Sequence, residues 1–278
     1  MLQTNTLFVG KVYACFDELP STNDWAKQLI AGSVSLPDTL TSVSTKSKPP
    51  EGTLVRAVRQ SAGRGQFGSI WESERGLNLT VSCVLYPHWL SVGDQFALST
   101  AVALAVKDVC AEALTESALA SAVKVKWPND IYAGERKICG ILIENTLSGG
   151  HLQSSVVGIG MNVNQAVFPS ELPFAGSLSL AAGRSFDVET LLARLCESLE
   201  RRYLQLRAQG CAALLRAYEA ELLGKDAPRM FAHLAKDGSP FAGLVDGVEN
   251  DGRLRLRTDR GLERFDLKEL RLLPSGPA

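Results

Sequence analysis

The feature that most limits the fold is a series of short apolar segments in the middle of the chain, each followed by turn-forming residues. These segments and their turns are 123–127 with Pro128-Asn129-Asp130, 138–143 with Ser148-Gly149-Gly150, and 155–159, with Ala133-Gly134 between the first two. Runs of this length bounded by Gly, Pro and Asn are typical of strands. The middle of the chain is therefore predicted to be β-sheet.

Helices are predicted before and after these strands along the chain. Residues 94–114 are rich in Ala, Val and Leu and contain no Gly or Pro, which favours one long helix. Helical spacing returns at 191–206 and 212–223, and a first helix follows Ser21 or Thr22 as its cap. Further strands are expected at 12–16, 53–58 and 77–86. This order predicts a mixed α/β domain over residues 1–224.

The character of the chain changes after Gly224. Short strand-like segments are separated by the turns Lys236-Asp237-Gly238, Glu249-Asn250-Asp251-Gly252 and Asp259-Arg260-Gly261. We expect residues 225–278 to form a second domain, a small β-barrel.

Composition excludes several functional classes. Lys and Arg (29) nearly balance Asp and Glu (30), so no overall field would attract nucleic acid or an anionic membrane surface. The six cysteines occur singly and are expected to be buried, as in a reducing compartment. Three distant histidines do not suit a zinc site or a Ser-His nucleophile. With no export signal or membrane-spanning stretch, we expect a cytoplasmic protein without a membrane partner.

A glycine-rich segment, Gly63-Arg64-Gly65-Gln66-Phe67-Gly68, matches the dinucleotide fingerprint G-x-G-x-x-G. The match is weak because the segment leads into a strand, whereas the fingerprint must open a helix. Its three glycines would let backbone N–H groups approach an anion, and Arg64 suits phosphate or carboxylate. A flexible surface hairpin is the alternative.

Polar residues also cluster at strand ends. Lys126-Trp127-Pro128-Asn129-Asp130 ends one strand, and Gly158-Ile159-Gly160-Met161-Asn162-Val163-Asn164 ends another. Lys137 lies just inside a strand, where a charged residue faces either solvent at a sheet edge or a ligand. The asparagines could form a plain turn or read a nucleotide base.

Together these blocks resemble one family, the biotin protein ligases. The resemblance is carried by Ser21-Thr22-Asn23, Gly63-Arg64-Gly-x-x-Gly with Trp71, Lys126-Trp-Pro-Asn-Asp with Lys137-x-x-Gly140-Ile-Leu, and Gly158-Ile-Gly-x-Asn162-Val-Asn. It is strong from Val12 to Asn164 and weaker from Gly243 to Leu272, which is similar to the family's SH3-like domain. Four blocks in fixed order are far more specific than any one of them.

The resemblance implies a mixed α/β fold related to class II aminoacyl-tRNA synthetases, with a small C-terminal SH3-like barrel. It implies that ATP and Mg²⁺ activate biotin as an adenylate, which is transferred to a lysine of a biotin carboxyl carrier protein. By motif, the biotin site would comprise Ser21, Thr22, Asn23, Gln60, Gly63, Arg64, Lys137 and Gly140. By motif, ATP would contact Arg64, Gln66, Trp71, Asn129, Lys137, Asn162 and Arg271.

Within these sets the resemblance implies catalytic roles for Arg64, Lys137 and Asp130. Trp71 and Asn162 would embrace adenine, and Asn129 and Asp130 would lie at the phosphate end and hold the metal. Asp130 would either orient or deprotonate the incoming lysine, or hold its own loop.

Two departures from the family pattern bear on regulation. The family loop usually carries further basic residues where this chain has Gln66, Phe67 and Ser69, which weakens the expected retention of the adenylate. The catalytic blocks begin about a dozen residues into the chain, so we expect no N-terminal DNA-binding domain, no DNA partner and no repressor activity. A homodimer is left open.

Two rival functions are considered. A lipoate or octanoate ligase would share the fold, but the polar set Ser21, Thr22 and Gln60 favours a ring with hydrogen-bonding groups over an aliphatic tail. A noncatalytic adaptor or DNA-linked regulator is disfavoured by the balanced charge.

Overall fold

The structure is a computed structural model, and it describes residues 2–37, 48–234 and 238–273. The predicted turn residues Lys236 and Asp237 lie outside the described residues. The helices are α1 (Thr22–Ile30), α2 (Phe96–Ala113), α3 (Leu178–Ala182), α4 (Val188–Gln209) and α5 (Cys211–Ala220). The strands are β1 (Tyr13–Leu19), β2 (Leu54–Gln60), β3 (Leu79–Leu85), β4 (Val123–Lys126), β5 (Asp130–Ala133), β6 (Arg136–Ser148), β7 (His151–Met161), β8 (Arg229–His233), β9 (Pro240–Val248), β10 (Leu254–Thr258), β11 (Gly261–Phe265) and β12 (Leu270–Leu272).

The first seven strands form one mixed sheet in the order β1-β2-β3-β7-β6-β5-β4. β1 and β2 are parallel, and the other neighbours are antiparallel. The predicted mixed α/β fold is thereby confirmed. The structure adds a strand that the sequence did not predict, β5, which begins at Asp130, the last residue of the predicted turn.

Alternation along the central strands gives the sheet two different faces. On β3, Leu79, Val81 and Cys83 belong to the main core, which α2, α4 and α5 cover. The neighbours Thr80 and Ser82 point to the opposite face because successive side chains in a strand alternate. Helix α1 packs on that second face, where Ala26 is fully buried against β2, β3 and β7. The second face is only partly covered by a helix, so it can form a cavity floor.

The last five strands form a separate antiparallel sheet in the order β11-β10-β9-β8-β12. Among the described residues, β11 and β12 are its two edges and do not pair, so the sheet stays open and no closed barrel forms. The domain boundary near Gly224 remains a prediction.

The C-terminal sheet is fastened to the end of β4. The indole Nε1 of Trp127 donates a hydrogen bond to the carbonyl of Gly252 at 2.9 Å, and Trp127 is buried. From the other side, the Tyr218 hydroxyl donates to the carbonyl of Pro128 at 2.8 Å. The segment after β4 is thus held between the two sheets and α5.

Four cysteines are buried as expected, but Cys211 is only partly buried and Cys15 is exposed. Side chains alternate along β1, and it is the neighbouring Ala14 that faces the interior. Across the described ranges, no helix has the length and apolar character needed to cross a bilayer.

Candidate functional site

A cavity of about 440 Å³ lies on the α1 side of the large sheet. Its volume is in the range of small-molecule sites. Its walls come from the start of α1, the end of β2, the glycine-rich segment, the end of β4, strands β6 and β7, and the C-terminal sheet. The predicted site residues that line it are Ser21, Thr22, Asn23, Gln60, Arg64, Gln66, Trp71, Asn129, Asp130, Lys137, Gly140 and Arg271.

One wall of the cavity is a hydrogen-bonded polar group. The backbone N–H of Thr22 donates to Gln60 Oε1 at 2.8 Å, and the Thr22 hydroxyl lies 3.2 Å from the same oxygen. Thr22 and Asn23 are buried in the first turn of α1, which Ser21 caps. Burial in a short helix held by its cap fixes these side chains in place, so this wall is already formed without a ligand.

Glu144 on β6 connects this wall to the positive charges. Its Oε2 accepts from Asn23 Nδ2 at 2.9 Å, and its Oε1 lies 2.8 Å from Lys27 Nζ. Burial alone would raise the pKa of Glu144, but hydrogen bonds from Lys27, Asn23 and Arg64 bring the net pKa below its ordinary value. Glu144 is therefore an anion at neutral pH.

Arg64, on the glycine-rich segment, is bound by two carboxylates in this structure. Its Nη2 lies 2.9 Å from Asp24 Oδ1 and 2.7 Å from Glu144 Oε2. The Arg64 side chain is 39% exposed, so a ligand anion can reach it. A ligand carboxylate or phosphate at Arg64 would have to compete with these two protein carboxylates.

Lys137 is placed at the cavity by strand pairing. Asp130 on β5 pairs with Gly140 on β6, which brings the Asp130 carboxylate alongside Lys137. Asp130 Oδ1 lies 2.7 Å from Lys137 Nζ, and Oδ2 lies 3.5 Å from Lys126 Nζ. Two lysines and one mostly buried carboxylate leave this end of the cavity with net positive charge, as binding of a polyanion requires.

Trp71 lies directly over a floor of glycines. A Cβ on Gly160 would overlap its indole, and a Cβ on Gly140 would come within 2.9 Å of the ring. Lys137 Nζ is 5.6 Å from the Trp71 ring centroid. Trp71 Nε1 is buried and has no hydrogen-bond partner within the parts of the chain that the structure describes. The two glycines are thus needed for the aromatic ring to approach the sheet.

The glycine-rich segment also contacts the C-terminal sheet. Phe67 has a left-handed backbone conformation (φ 56°) and a mostly exposed ring, over which Lys268 Nζ lies at 4.7 Å. Gln66 is next to it, and Arg271 lines the cavity from the C-terminal sheet. Both of these predicted ATP contacts therefore lie where the C-terminal sheet meets the cavity.

Two predicted site residues do not line the cavity. Asn162 is buried, and its Nδ2 donates to the carbonyl of Gly176 at 2.9 Å. Gly63 lies behind the wall, where a Cβ would overlap the carbonyl of Trp71. The contact of Asn162 with adenine therefore remains a prediction, and so does the contact of Gly63 with biotin.

Sequence reasoning missed several residues of the site. Lys126 lies within a motif and Glu144 two residues after one, and neither was assigned a role; Asp24, Ser82 and Lys268 were not considered. The spacing of Asp24 and Lys27 on α1 could have indicated a charged face, but their link to Arg64 is a long-range contact. Within residues 2–37, 48–234 and 238–273, no group of three or more His, Cys, Asp or Glu side chains is placed to hold a metal ion.

Comparison with known proteins identifies the family and the fold. The sequence model of the biotin/lipoate A/B protein ligase family matches residues 32–162. A biotin protein ligase from Aquifex aeolicus, solved in complex with biotin and ATP, superposes with a TM-score of 0.72 at 25% identity, covering 95% of this chain and all of that one.

Two curated relatives extend the match. The bifunctional ligase/repressor BirA of Bacillus subtilis is 33% identical over 227 residues, which are 80% of this chain and 67% of that protein. The biotin--[acetyl-CoA-carboxylase] ligase of Paracoccus denitrificans is 32% identical over 222 residues, which are 78% of this chain and 88% of that protein. With matches of this extent, the chain belongs to the biotin/lipoate A/B protein ligase family and is an enzyme homologous to the biotin protein ligases.

Proposed function

We propose that this enzyme activates biotin with ATP to biotinyl-5′-AMP and transfers the biotinyl group to a lysine of a biotin carboxyl carrier protein. The observation that carries the proposal is that one cavity combines a hydrogen-bonding wall with positive charge. Thr22 and Gln60 form the hydrogen-bonding wall, and Lys126 and Lys137 supply the positive charge. Relatives whose names and structures refer to biotin and ATP support this reading.

The first step joins two anions, so the protein must offset their repulsion. The biotin carboxylate attacks the α-phosphorus of ATP, the new acyl–phosphate bond forms, and pyrophosphate leaves. In this proposal Lys137 and Arg64 hold the carboxylate and the α-phosphate and stabilise the charge of the transition state. Arg64 can do so once it exchanges Asp24 and Glu144 for the ligand anions.

The second step is attack by a lysine amine on the mixed anhydride, which releases AMP. We propose that Asp130 acts mainly as a positioning residue, because its carboxylate already binds Lys137 at 2.7 Å and Lys126 at 3.5 Å. Holding Lys137 toward the reacting phosphate is the role that these contacts favour.

Mg²⁺ belongs to the proposal as the partner of the ATP phosphates, whose charge it would partly neutralise. Among the described residues that line the cavity, Asp130 is the only carboxylate, and it is paired with lysines. The Asn129 Nδ2 donates to the carbonyl of Ile141. These groups do not make a magnesium site by themselves, so no step here depends on a protein-held metal, and Asn129 and Asp130 remain predicted ligands.

The nucleotide end of the proposal rests on Trp71, Gln66 and Arg271, which line the same cavity. Trp71 has one face on the glycine floor. An aromatic ring of this kind can stack with a base, and Arg271 can reach a phosphate from the C-terminal sheet.

The proposed first step is tested by pyrophosphate exchange into ATP with either biotin or lipoate as the only carboxylate. We expect exchange with biotin and little with lipoate, because a dithiolane ring would leave the hydrogen-bonding groups of Thr22 and Gln60 unpaired. Exchange with lipoate alone would reassign the enzyme to the other branch of the family.

A further inference from the structure

A chain of hydrogen bonds lies beneath the polar wall of the cavity. Glu144 Oε2 is 2.9 Å from Asn23 Nδ2, Asn23 Oδ1 is 2.6 Å from Ser82 Oγ, and Ser82 Oγ is 2.8 Å from Thr22 Oγ1. Gly158 makes room for it, since a Cβ there would overlap the Asn23 amide. Ser82 is fully buried and does not line the cavity.

The direction of this chain is fixed at its far end. Asn23 Nδ2 faces the Glu144 carboxylate and, at 3.3 Å, the Leu142 carbonyl. Both of those groups can only accept hydrogen bonds, so the amide nitrogen of Asn23 must lie on their side. The Asn23 oxygen therefore faces Ser82.

The orientation of the Asn23 amide determines which hydrogen bond Ser82 donates. Two oxygens 2.6 Å apart need a proton between them, and Asn23 Oδ1 has none, so Ser82 donates its single proton to Asn23. Ser82 Oγ is left as an acceptor toward Thr22.

Thr22 consequently has no proton to offer the cavity. Both of its protein neighbours are acceptors: Ser82 Oγ at 2.8 Å and Gln60 Oε1 at 3.2 Å, the latter fixed by the backbone N–H of Thr22. The Thr22 hydroxyl proton goes to one of them, and only lone pairs face the cavity. Gln60, by the same reasoning, offers the donors of its Nε2.

We propose that Ser82 is a positioning residue that sets the ligand specificity of this wall, by holding Thr22 as a hydrogen-bond acceptor. The inference rests on the proposed function. It requires that the bound ring present an N–H to Thr22 and a hydrogen-bond acceptor to Gln60. A cyclic urea meets this requirement. In a ring with oxygen in place of that N–H, the lone pairs of the ring oxygen would face the lone pairs of the Thr22 hydroxyl oxygen, which is repulsive.

The test measures binding of biotin and of its two cyclic-carbamate analogues, in each of which one ring N–H is replaced by oxygen. Calorimetry on the full chain gives the ratio of biotin to carbamate affinity. The wild type should reject at least one isomer. In Ser82→Ala the Thr22 hydroxyl loses its nearer acceptor at 2.8 Å and keeps only Gln60 Oε1 at 3.2 Å. Its proton can then turn toward the ligand, so the ratio should fall about fivefold to tenfold.

Two further variants keep the test decisive. Ser155→Ala is the matched control. Ser155 is also fully buried, and its Oγ donates a hydrogen bond of 2.8 Å to Asn145 Oδ1, outside the cavity lining. The ratio of biotin to carbamate affinity in this variant should equal that of the wild type. Glu144→Gln introduces an amide that can donate to Asn23, so every hydrogen bond from Asn23 to Thr22 can reverse its direction. This variant should also lower the ratio of biotin to carbamate affinity, and it replaces Ser82→Ala as the test if that variant does not fold.

A purely structural role for Ser82 would weaken biotin and carbamate equally and leave the ratio unchanged. An unchanged ratio in the folded variants, or a wild type that accepts both carbamates as well as biotin, would overturn the inference and leave the proposed function standing. A wild type that binds no biotin would remove the proposed function and this inference together.

Discussion

Lys137 is the residue on which the proposed activation step depends most. Replacing it with Ala should lower the rate of adenylate formation several hundredfold, since a preorganised cation at the transition state contributes about 3–4 kcal/mol. Biotin-dependent pyrophosphate exchange measures this rate. Lys124→Ala is the control, because Lys124 pairs with Glu221 and Asp226 instead of the cavity carboxylate. Near-normal exchange in Lys137→Ala would contradict the assigned role.

The position of the Trp71 ring is predicted to depend on Gly160. Ala at this position puts a methyl group where the indole lies, so the ring must leave the floor and enter solvent. We expect the fluorescence emission of Trp71 to shift to the red and ATP binding to weaken by roughly 1–3 kcal/mol. The emission of Trp71 is isolated by subtracting the spectrum of the corresponding protein that carries Trp71→Phe.

Gly93→Ala serves as the comparison for this variant, since the nearest atom to its added Cβ is 3.8 Å away. If Gly160→Ala leaves the emission of Trp71 unchanged, the ring does not depend on the glycine floor.

At this scale the sequence predicted residue types better than their contacts. Thr22, Gln60, Arg64 and Lys137 could be named from motifs, because motif spacing is local. The roles of Glu144 and Ser82 could not be, because each depends on partners more than fifty residues away. Strand alternation does place Ser82 on the cavity face of β3, but only once the faces of the sheet are known.

Among the elements, the glycine-rich segment is the one expected to respond to ligands. It carries Arg64, Gln66 and Trp71 into the cavity and rests on the C-terminal sheet through Phe67 and Lys268. We predict that Gln66→Arg slows release of the adenylate about tenfold, because a charge-assisted hydrogen bond to phosphate is about twice as strong as a neutral one.

Stopped-flow fluorescence of Trp71 follows this release, and fewer bystander lysines should be labelled. Gln66→Leu, which removes the hydrogen bond, should change release in the opposite direction. Equal release rates in all three proteins would show that position 66 does not govern retention of the adenylate.

Most elements were predictable because their periodicity is local, including α2 and the strands of the central sheet. The strand β5 was missed, since Asp130–Ala133 is short and directly follows Pro128 and Asn129, which indicate a turn. Its pairing with β6 sets the distance between Asp130 and Lys137, so the geometry of the positive end could not be obtained from the sequence.

On the scale of the whole molecule, the contact between a turn of the C-terminal sheet and α2 should contribute to stability. Gly252 has a φ of 97°, and a Cβ there would lie 2.6 Å from Phe96 Cδ2. Gly252→Ala therefore combines backbone strain with overpacking and should cost about 1–3 kcal/mol more than strain alone.

Gly261→Ala isolates the strain, since its φ is 105° and no atom lies within 4 Å of the added Cβ. Calorimetric unfolding should give a Tm for Gly252→Ala a few degrees below that of Gly261→Ala. Equal Tm values would show that the turn of the C-terminal sheet does not press on α2.

Transfer of biotin depends on features at all three scales, because it requires the polar wall, the cations and the enclosing segment at once. The most direct measurement is the mass of a carrier domain after incubation with the enzyme, MgATP and biotin. We predict that the carrier gains one biotinyl group at a single lysine, only with ATP present, and that Lys137→Ala gives no gain in the same time. An unchanged carrier mass with the wild-type enzyme, or an ATP-independent gain, would contradict the account.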